Sequence, residues 1–146
     1  MKDRKKLFKR LKNKVLPALW SIRIRKRDGN RCIMCGKSSE EVALNAHHWI
    51  VPAGRSLRTR FILDNGVSLC YACHIFKVHK DGAAQHMDAI RLYMRRFVSE
   101  ERYEEIKRMG NDPWQPTLED FDRIKLELEE GMTAVREAWK RIAKAK

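Results

Sequence analysis

Two C-x-x-C pairs, Cys32/Cys35 and Cys70/Cys73, account for every cysteine in the chain. Thiolates paired at that spacing are the ligand set of a structural zinc ion, each pair closing a knuckle on one side of the metal. The interval between the pairs is far longer than the roughly 15–20 residues of a simple finger, so something is inserted into the zinc frame. His47, His48 and His74 lie within or at the edge of that insert, together with Asn65. Imidazoles ligate metals and move protons near neutral pH, so a zinc-stapled frame here carries histidine chemistry. The alternative of two disulfides needs an oxidising compartment. No secretory leader is legible: the apolar run Val15-Leu16-Pro17-Ala18-Leu19-Trp20 is short, is interrupted by Pro17, and precedes no small-residue cleavage site. The word Cys70-Tyr71-Ala72-Cys73-His74 also spells a c-type haem attachment, but Cys32 and Cys35 claim the same thiols for zinc.

The composition sets the partner class. At 146 residues, with 35% charged residues and a mean hydropathy of −0.61, the chain is one domain with a modest core, or one domain with helical attachments. A structural metal often supplements such a core. The net charge of +13 and pI near 9.9 point to a polyanion, nucleic acid first and an anionic membrane surface second. Residues 1–31 hold thirteen Lys/Arg against two Asp. That one-signed segment beside the metal site reads as a phosphate-contacting arm, with a solvated charge run as the bland alternative. No stretch approaches the ~18 consecutive apolar residues of a membrane span, and a cytoplasmic location is expected.

The positioning elements follow from pattern and punctuation. Lys2 to Lys14 is a frayed or helical basic arm. Trp20 to Arg25 alternates apolar and basic residues, with strand and helix both open. Asp28-Gly29-Asn30 is a turn that delivers Cys32, and Gly36 permits the tight knuckle. Leu44 to Val51 is strand-like and ends at Pro52-Ala53-Gly54; Arg55, Arg58 and Arg60 follow in a loop. After an Asp64-Asn65-Gly66 turn, Val67-Ser68-Leu69 forms a short strand, and Tyr71 to Lys80 a short helix stopped by Asp81-Gly82. Met87, Ile90, Met94 and Phe97 make one apolar helical face, and Tyr103, Ile106 and Met109 repeat it after Ser99. Thr117 and Asp120 resemble a capping box. Phe121, Ile124, Leu128, Met132, Val135, Trp139 and Ile142 then stripe a final helix, weakened midway by Gly131, that packs back or meets a partner. Trp49 reads as core, and His86 as structural or solvent-facing.

The ordered set Cys32-x-x-Cys35, His47-His48-Trp49-Ile50-x-Pro52, Asp64-Asn65 and Leu69-Cys70-x-x-Cys73-His74 resembles the HNH endonuclease family. Arg27-Asp28-Gly29 ahead of the first pair makes the phage-encoded members the most similar. The resemblance spans about residues 20–82. It implies an α+β fold with a small zinc-stabilised ββα-metal core, and metal-dependent hydrolysis of double-stranded DNA to 3′-hydroxyl and 5′-phosphate ends. It implies His48 as general base, Asn65 as the residue that holds the base-bearing loop, and His47 and His74 as ligands of a catalytic divalent metal, Mg²⁺ or Mn²⁺. His79 is a further candidate ligand. It follows His74 by five residues, about 140° round a regular helix, so it needs that helix to end or widen. Otherwise it faces phosphate or solvent.

The organisation expected is a basic arm (1–19), the nuclease core with its zinc knuckle (20–82), a helical extension (83–112) and a C-terminal helix (113–146). Arg23, Arg25, Arg55, Arg58, Arg60, Lys77 and Lys80 are candidate backbone contacts on DNA. A homodimer or a phage protein partner through the C-terminal helices is the expected protein contact. Three rivals stand beside this reading: a non-catalytic zinc-containing DNA-binding module, a scaffold working through its final helix, and an RNA substrate.

Overall fold

The structure, a computed structural model, describes residues 1–78 and 83–130, with the side chains of 76–78 and 83–85 outside it. His79, Lys80, the Asp81-Gly82 stop and the stripe from Gly131 to Ile142 therefore lie outside the described residues. The architecture is a mostly helical α+β fold around one β-hairpin and a four-cysteine cluster.

The basic N-terminal segment is helical throughout. Helix α1 (Lys2–Arg10) continues through a π-helical segment, Leu11–Val15, into α2 (Leu16–Arg27). Pro17 explains the π turn. It has no N–H to give Asn13, and its ring would clash with that carbonyl in a regular helix, so the chain widens instead. The Leu16 N–H reaches back to Leu11 rather than Lys12. The bulge also keeps the apolar face in phase. Leu11, Leu16, Trp20 and Ile24 are spaced five, four and four, and all are buried.

Strand β1 (Leu44–His48) pairs antiparallel with β2 (Gly66–Cys70), His47 opposite Val67 and His48 opposite Gly66. The expected strand to Val51 thus stops at His48, where the chain turns away to reach α3 (Leu57–Arg60) and a 3-10 turn at Leu63–Asn65. The helix after Cys70 is π-helical from Cys73 to Val78. Helix α4 (Ala83–Met94), α5 (Glu100–Met109) and α6 (residues 118–130) complete the described chain. Ser99 caps α5 by accepting from the Arg102 N–H. Thr117 and Asp120 form the reciprocal capping box read from sequence: Thr117 Oγ1 accepts from the Asp120 N–H at 3.2 Å, and Asp120 Oδ2 accepts from the Thr117 N–H at 2.8 Å.

Strand β2 is buried along its whole length. One core joins Val67 and Leu69 to Trp49, Cys32, Cys70, Cys73, Ile90, Met94 and Val98. The other joins Leu11, Leu16, Trp20 and Ile24 to Phe61, Phe121 and Leu128, with Phe8 stacked on Phe121 at 4.6 Å. The described part of the C-terminal helix therefore packs back on the N-terminal one. Phe97 does not extend the α4 stripe as its spacing suggests. The helix ends at Met94, Phe97 lies 42% exposed in the following turn, and Val98 takes the buried place.

Two residues read as turn formers have tertiary jobs. The Asp28 carboxylate is buried and takes four hydrogen bonds: two from Arg27 at 3.0 Å, one from the Ser68 N–H at 2.8 Å, one from the Tyr93 hydroxyl at 3.0 Å. Every lone-pair position is thereby used, tying α2, β2 and α4 together. Gly66 is extended, at φ −127°, and its role is close approach. A Cβ there would stand 2.5 Å from Trp20 Cζ2 and 2.7 Å from Ile24 Cδ1. Gly66→Ala should therefore cost about 2 kcal/mol by overpacking, read as a lower denaturant midpoint at unchanged slope. An unaltered midpoint would show that α2 can back away freely.

Candidate functional site

The four cysteines converge. Their Sγ atoms all lie within 4.8 Å of one another, and Cys35 and Cys70 are 3.7 Å apart. A tetrahedral zinc with ~2.3 Å Zn–S bonds requires sulfurs about 3.8 Å apart, so the donor set fits one zinc ion. All four are free thiols, and Cys35 and Cys70 stand well beyond the ~2.05 Å of an S–S bond. The local backbone makes the fit. Gly36 takes φ +77° after Cys35, its N–H donates to the Cys32 carbonyl at 2.9 Å, and the Arg31–Ser38 bridge closes the first knuckle. In the second knuckle the Cys73 N–H donates to Cys70 Sγ at 3.4 Å. Burial alone would raise the Cys32 thiol, but backbone bonds from Cys35, Cys70 and Met34 outweigh it and lower the thiol to about 7. Burial and hydrogen bonds with the neighbouring thiols push Cys73 up.

The histidine pair divides between two faces, as strand alternation requires. His47 meets His74, with ring centroids 4.9 Å apart in an edge-to-face arrangement. His48 lies against α2, stacked on Trp20 at 4.1 Å and 12°. Gly66, opposite His48, leaves the space that Trp20 fills. His48 Nε2 lies 2.8 Å from the Arg60 carbonyl oxygen. A carbonyl only accepts, so Nε2 carries the proton in the neutral ring and Nδ1 is the basic nitrogen. Burial holds this imidazole below its ordinary range, against the opposing pull of the Arg60 carbonyl. The ring is therefore neutral at neutral pH.

Asn65 is fully buried and staples the loop that follows His48. Its Oδ1 accepts from the Ile50 and Val51 N–H groups, both at 2.9 Å. Its Nδ2 donates to the Val51 carbonyl at 2.9 Å and the Thr59 carbonyl at 3.1 Å. The Asn65 carbonyl in turn accepts from the Trp49 N–H. Trp49 is core, and its indole N–H donates to the Asp64 carbonyl at 2.8 Å.

Comparison with models of known families, with curated proteins and with solved structures finds no match. The functional reading of this chain accordingly rests on its own residues. Among the described residues, only the four cysteines form a cluster of three or more metal-ligating side chains. The widening that His79 would need is present from Cys73 to Val78, although His79 itself lies outside the described residues.

The arginines named from sequence are dispersed and mostly engaged. Arg23 donates to the Leu128 carbonyl at 2.9 Å, Arg25 to the Ser21 carbonyl at 3.3 Å, and Arg60 to the Ala53 carbonyl at 2.8 Å. Arg55 bonds Asn111, and Arg58 stands 4.0 Å from Asp112. The Lys77 side chain and all of Lys80 lie outside the described residues. Sequence reasoning missed Trp20 and Asp28 as parts of the site's support. An acidic residue at a helix C-terminus opposes the helix dipole, which is the one local signal that Asp28 is held by something distant. Among the described residues, no helix is long and apolar enough to cross a membrane.

Proposed function

We propose that this chain is a zinc-stapled endonuclease of the HNH type, hydrolysing phosphodiester bonds in double-stranded DNA. The observation that carries the reading is one hairpin bearing both parts of such a site at the end of β1, where regular pleating stops at His48. His47 and His74 stand together on one side, and the Asn65-stapled loop begins directly after His48. Simple DNA binding requires neither arrangement. His47 and His74 would hold a divalent ion, Mg²⁺ or Mn²⁺, which when bound supplies Lewis-acid stabilisation of charge on the phosphate. His48 takes a proton from the attacking water at Nδ1, its ring held by Trp20 and the Arg60 carbonyl. Asn65 orients the loop and moves no proton. Arg55 and Arg58 would exchange their contacts with Asn111 and Asp112 for the DNA backbone.

Supercoiled plasmid incubated with the purified protein and Mg²⁺ or Mn²⁺ tests this, with a chelated control. Wild type should give open circles, and His48→Ala should lower the rate about 100-fold or more, the usual contribution of a positioned base. Binding of DNA without cleavage under any divalent metal would instead identify a non-catalytic zinc module. Equal cleavage by both proteins would remove His48 from the chemistry.

A further inference from the structure

A cavity of about 340 Å³ opens on the His48 side of the hairpin, across β1 from the His47–His74 pair. Its wall is built largely by the N-terminal helix: Lys12, Trp20 and Ser21 from that helix meet His48, Arg60 and Phe61. Among the described residues lining it are two cations, a hydroxyl and an imidazole, but no carboxylate. A concave, acid-free patch with two cations favours an anion. The helix is locally rebuilt at this point. Lys12 sits in the π-helical segment Leu11–Val15 that Pro17 imposes, and its side chain lines the cavity.

We propose that this cavity binds a phosphate of the DNA strand flanking the one that reacts, with Lys12 as its principal cation. The inference rests on the nuclease reading for its place in a reaction, but as a binding site it stands on the cavity alone. It turns the N-terminal helix from a diffuse basic arm into one wall of the substrate groove. Lys14, on the same π-helical segment but absent from the cavity wall, is the internal control.

The test measures binding of a short fluorescein-labelled DNA duplex without added divalent metal, over a series of salt concentrations. Plasmid cleavage with Mn²⁺ is measured in parallel. Lys12→Ala should weaken binding about 10-fold and reduce the salt slope by about one, while Lys14→Ala changes affinity less than about threefold. Lys12→Arg should recover most of the loss. Thermal midpoints establish that the variants fold, and Lys12→Gln, which keeps the aliphatic stem, replaces the alanine variant if its midpoint falls. Equal weakening by Lys12→Ala and Lys14→Ala overturns the proposal, leaving only general charge. Displacement of the duplex by inorganic phosphate from wild type but not from Lys12→Ala supports it, because the two then compete for one site, whereas Lys12-dependent phosphate binding that leaves the duplex bound overturns it and assigns the cavity to a free phosphate group. A selective Lys12 effect on binding in a protein that never cleaves keeps the cavity and removes the nuclease reading. Efficient cleavage with Lys12 and Lys14 equivalent does the reverse.

Discussion

Stripping zinc from the purified protein with a strong chelator should abolish its cooperative thermal transition. The protein is expected to carry one zinc per chain, held by Cys32, Cys35, Cys70 and Cys73. Structural zinc in small domains binds with about 10–16 kcal/mol of apparent free energy, whereas a whole domain is typically stable by about 5–15 kcal/mol. The loss cannot be absorbed locally, because three of the four thiols belong to the core that also contains Val67, Leu69, Ile90 and Met94. The second core, built around Trp20, Phe61 and Phe121, contains no cysteine. Helical circular dichroism should therefore fall only in part while the near-ultraviolet signal of Trp49 collapses. Cys73→Ser should reproduce the effect. Because the thiols must release protons to bind the metal, zinc affinity should weaken as pH falls. A melting midpoint indifferent to the chelator would mean that the thiols pack as small apolar groups.

Asn65→Ala should be the most damaging single substitution outside the cysteines, costing about 4 kcal/mol. It removes four hydrogen bonds at a fully buried position and leaves the Ile50 and Val51 N–H groups and the Val51 carbonyl without a partner. Each net bond is worth about 1 kcal/mol, and each buried group left unsatisfied costs about 1–3 kcal/mol. Asn65→Asp should be no milder. It keeps the acceptor side but turns a carboxylate oxygen toward the Val51 and Thr59 carbonyls, where the amide had donated. Chemical denaturation reads the stability of both variants. On the proposed function, plasmid cleavage should fall even at temperatures where Asn65→Ala remains folded, because the chain leaving His48 loses its anchor. Full cleavage by a folded Asn65→Ala would show that the Trp20 stack and the Arg60 carbonyl suffice to hold the imidazole.

What the sequence disclosed was whatever depends on short-range geometry. A C-x-x-C knuckle closes through its own backbone, so both halves of the cysteine cluster were legible, and their convergence followed from there being four thiols in all. Ser99 and the Thr117–Asp120 box announced helix starts for the same reason. The residues that escaped owe their roles to distant neighbours. Asp28 satisfies a turn locally, yet its oxygens are occupied by Arg27, Ser68 and Tyr93. Gly66 also fits a turn, but the absence of a side chain there serves Trp20, 46 residues earlier in the chain. The run Trp20–Arg25 left strand and helix open because alternation counts only nearest neighbours. The helix wins through the four-residue spacing of Leu16, Trp20 and Ile24 against Phe61 and Phe121. Pro17 in that same helix is accommodated by a π turn without a break.

The pairing of the first helix with α6 has a bearing on synthesis. Arg4 meets Glu119 and Arg23 meets Leu128 across separations of 115 and 105 residues. At typical elongation rates of about 5–20 residues per second, the first helix waits roughly 5–20 s for its cover. Through that interval a nascent chain presents Phe8, Leu11, Leu16 and Trp20 on one flank and dense positive charge on the other. Such an amphipathic basic helix adheres to anionic lipid and to ribosomal RNA. Until α6 emerges, the core around Trp20 lacks Phe121 and Leu128, so a ribosome-bound chain carries the residues of the site without the full core behind them.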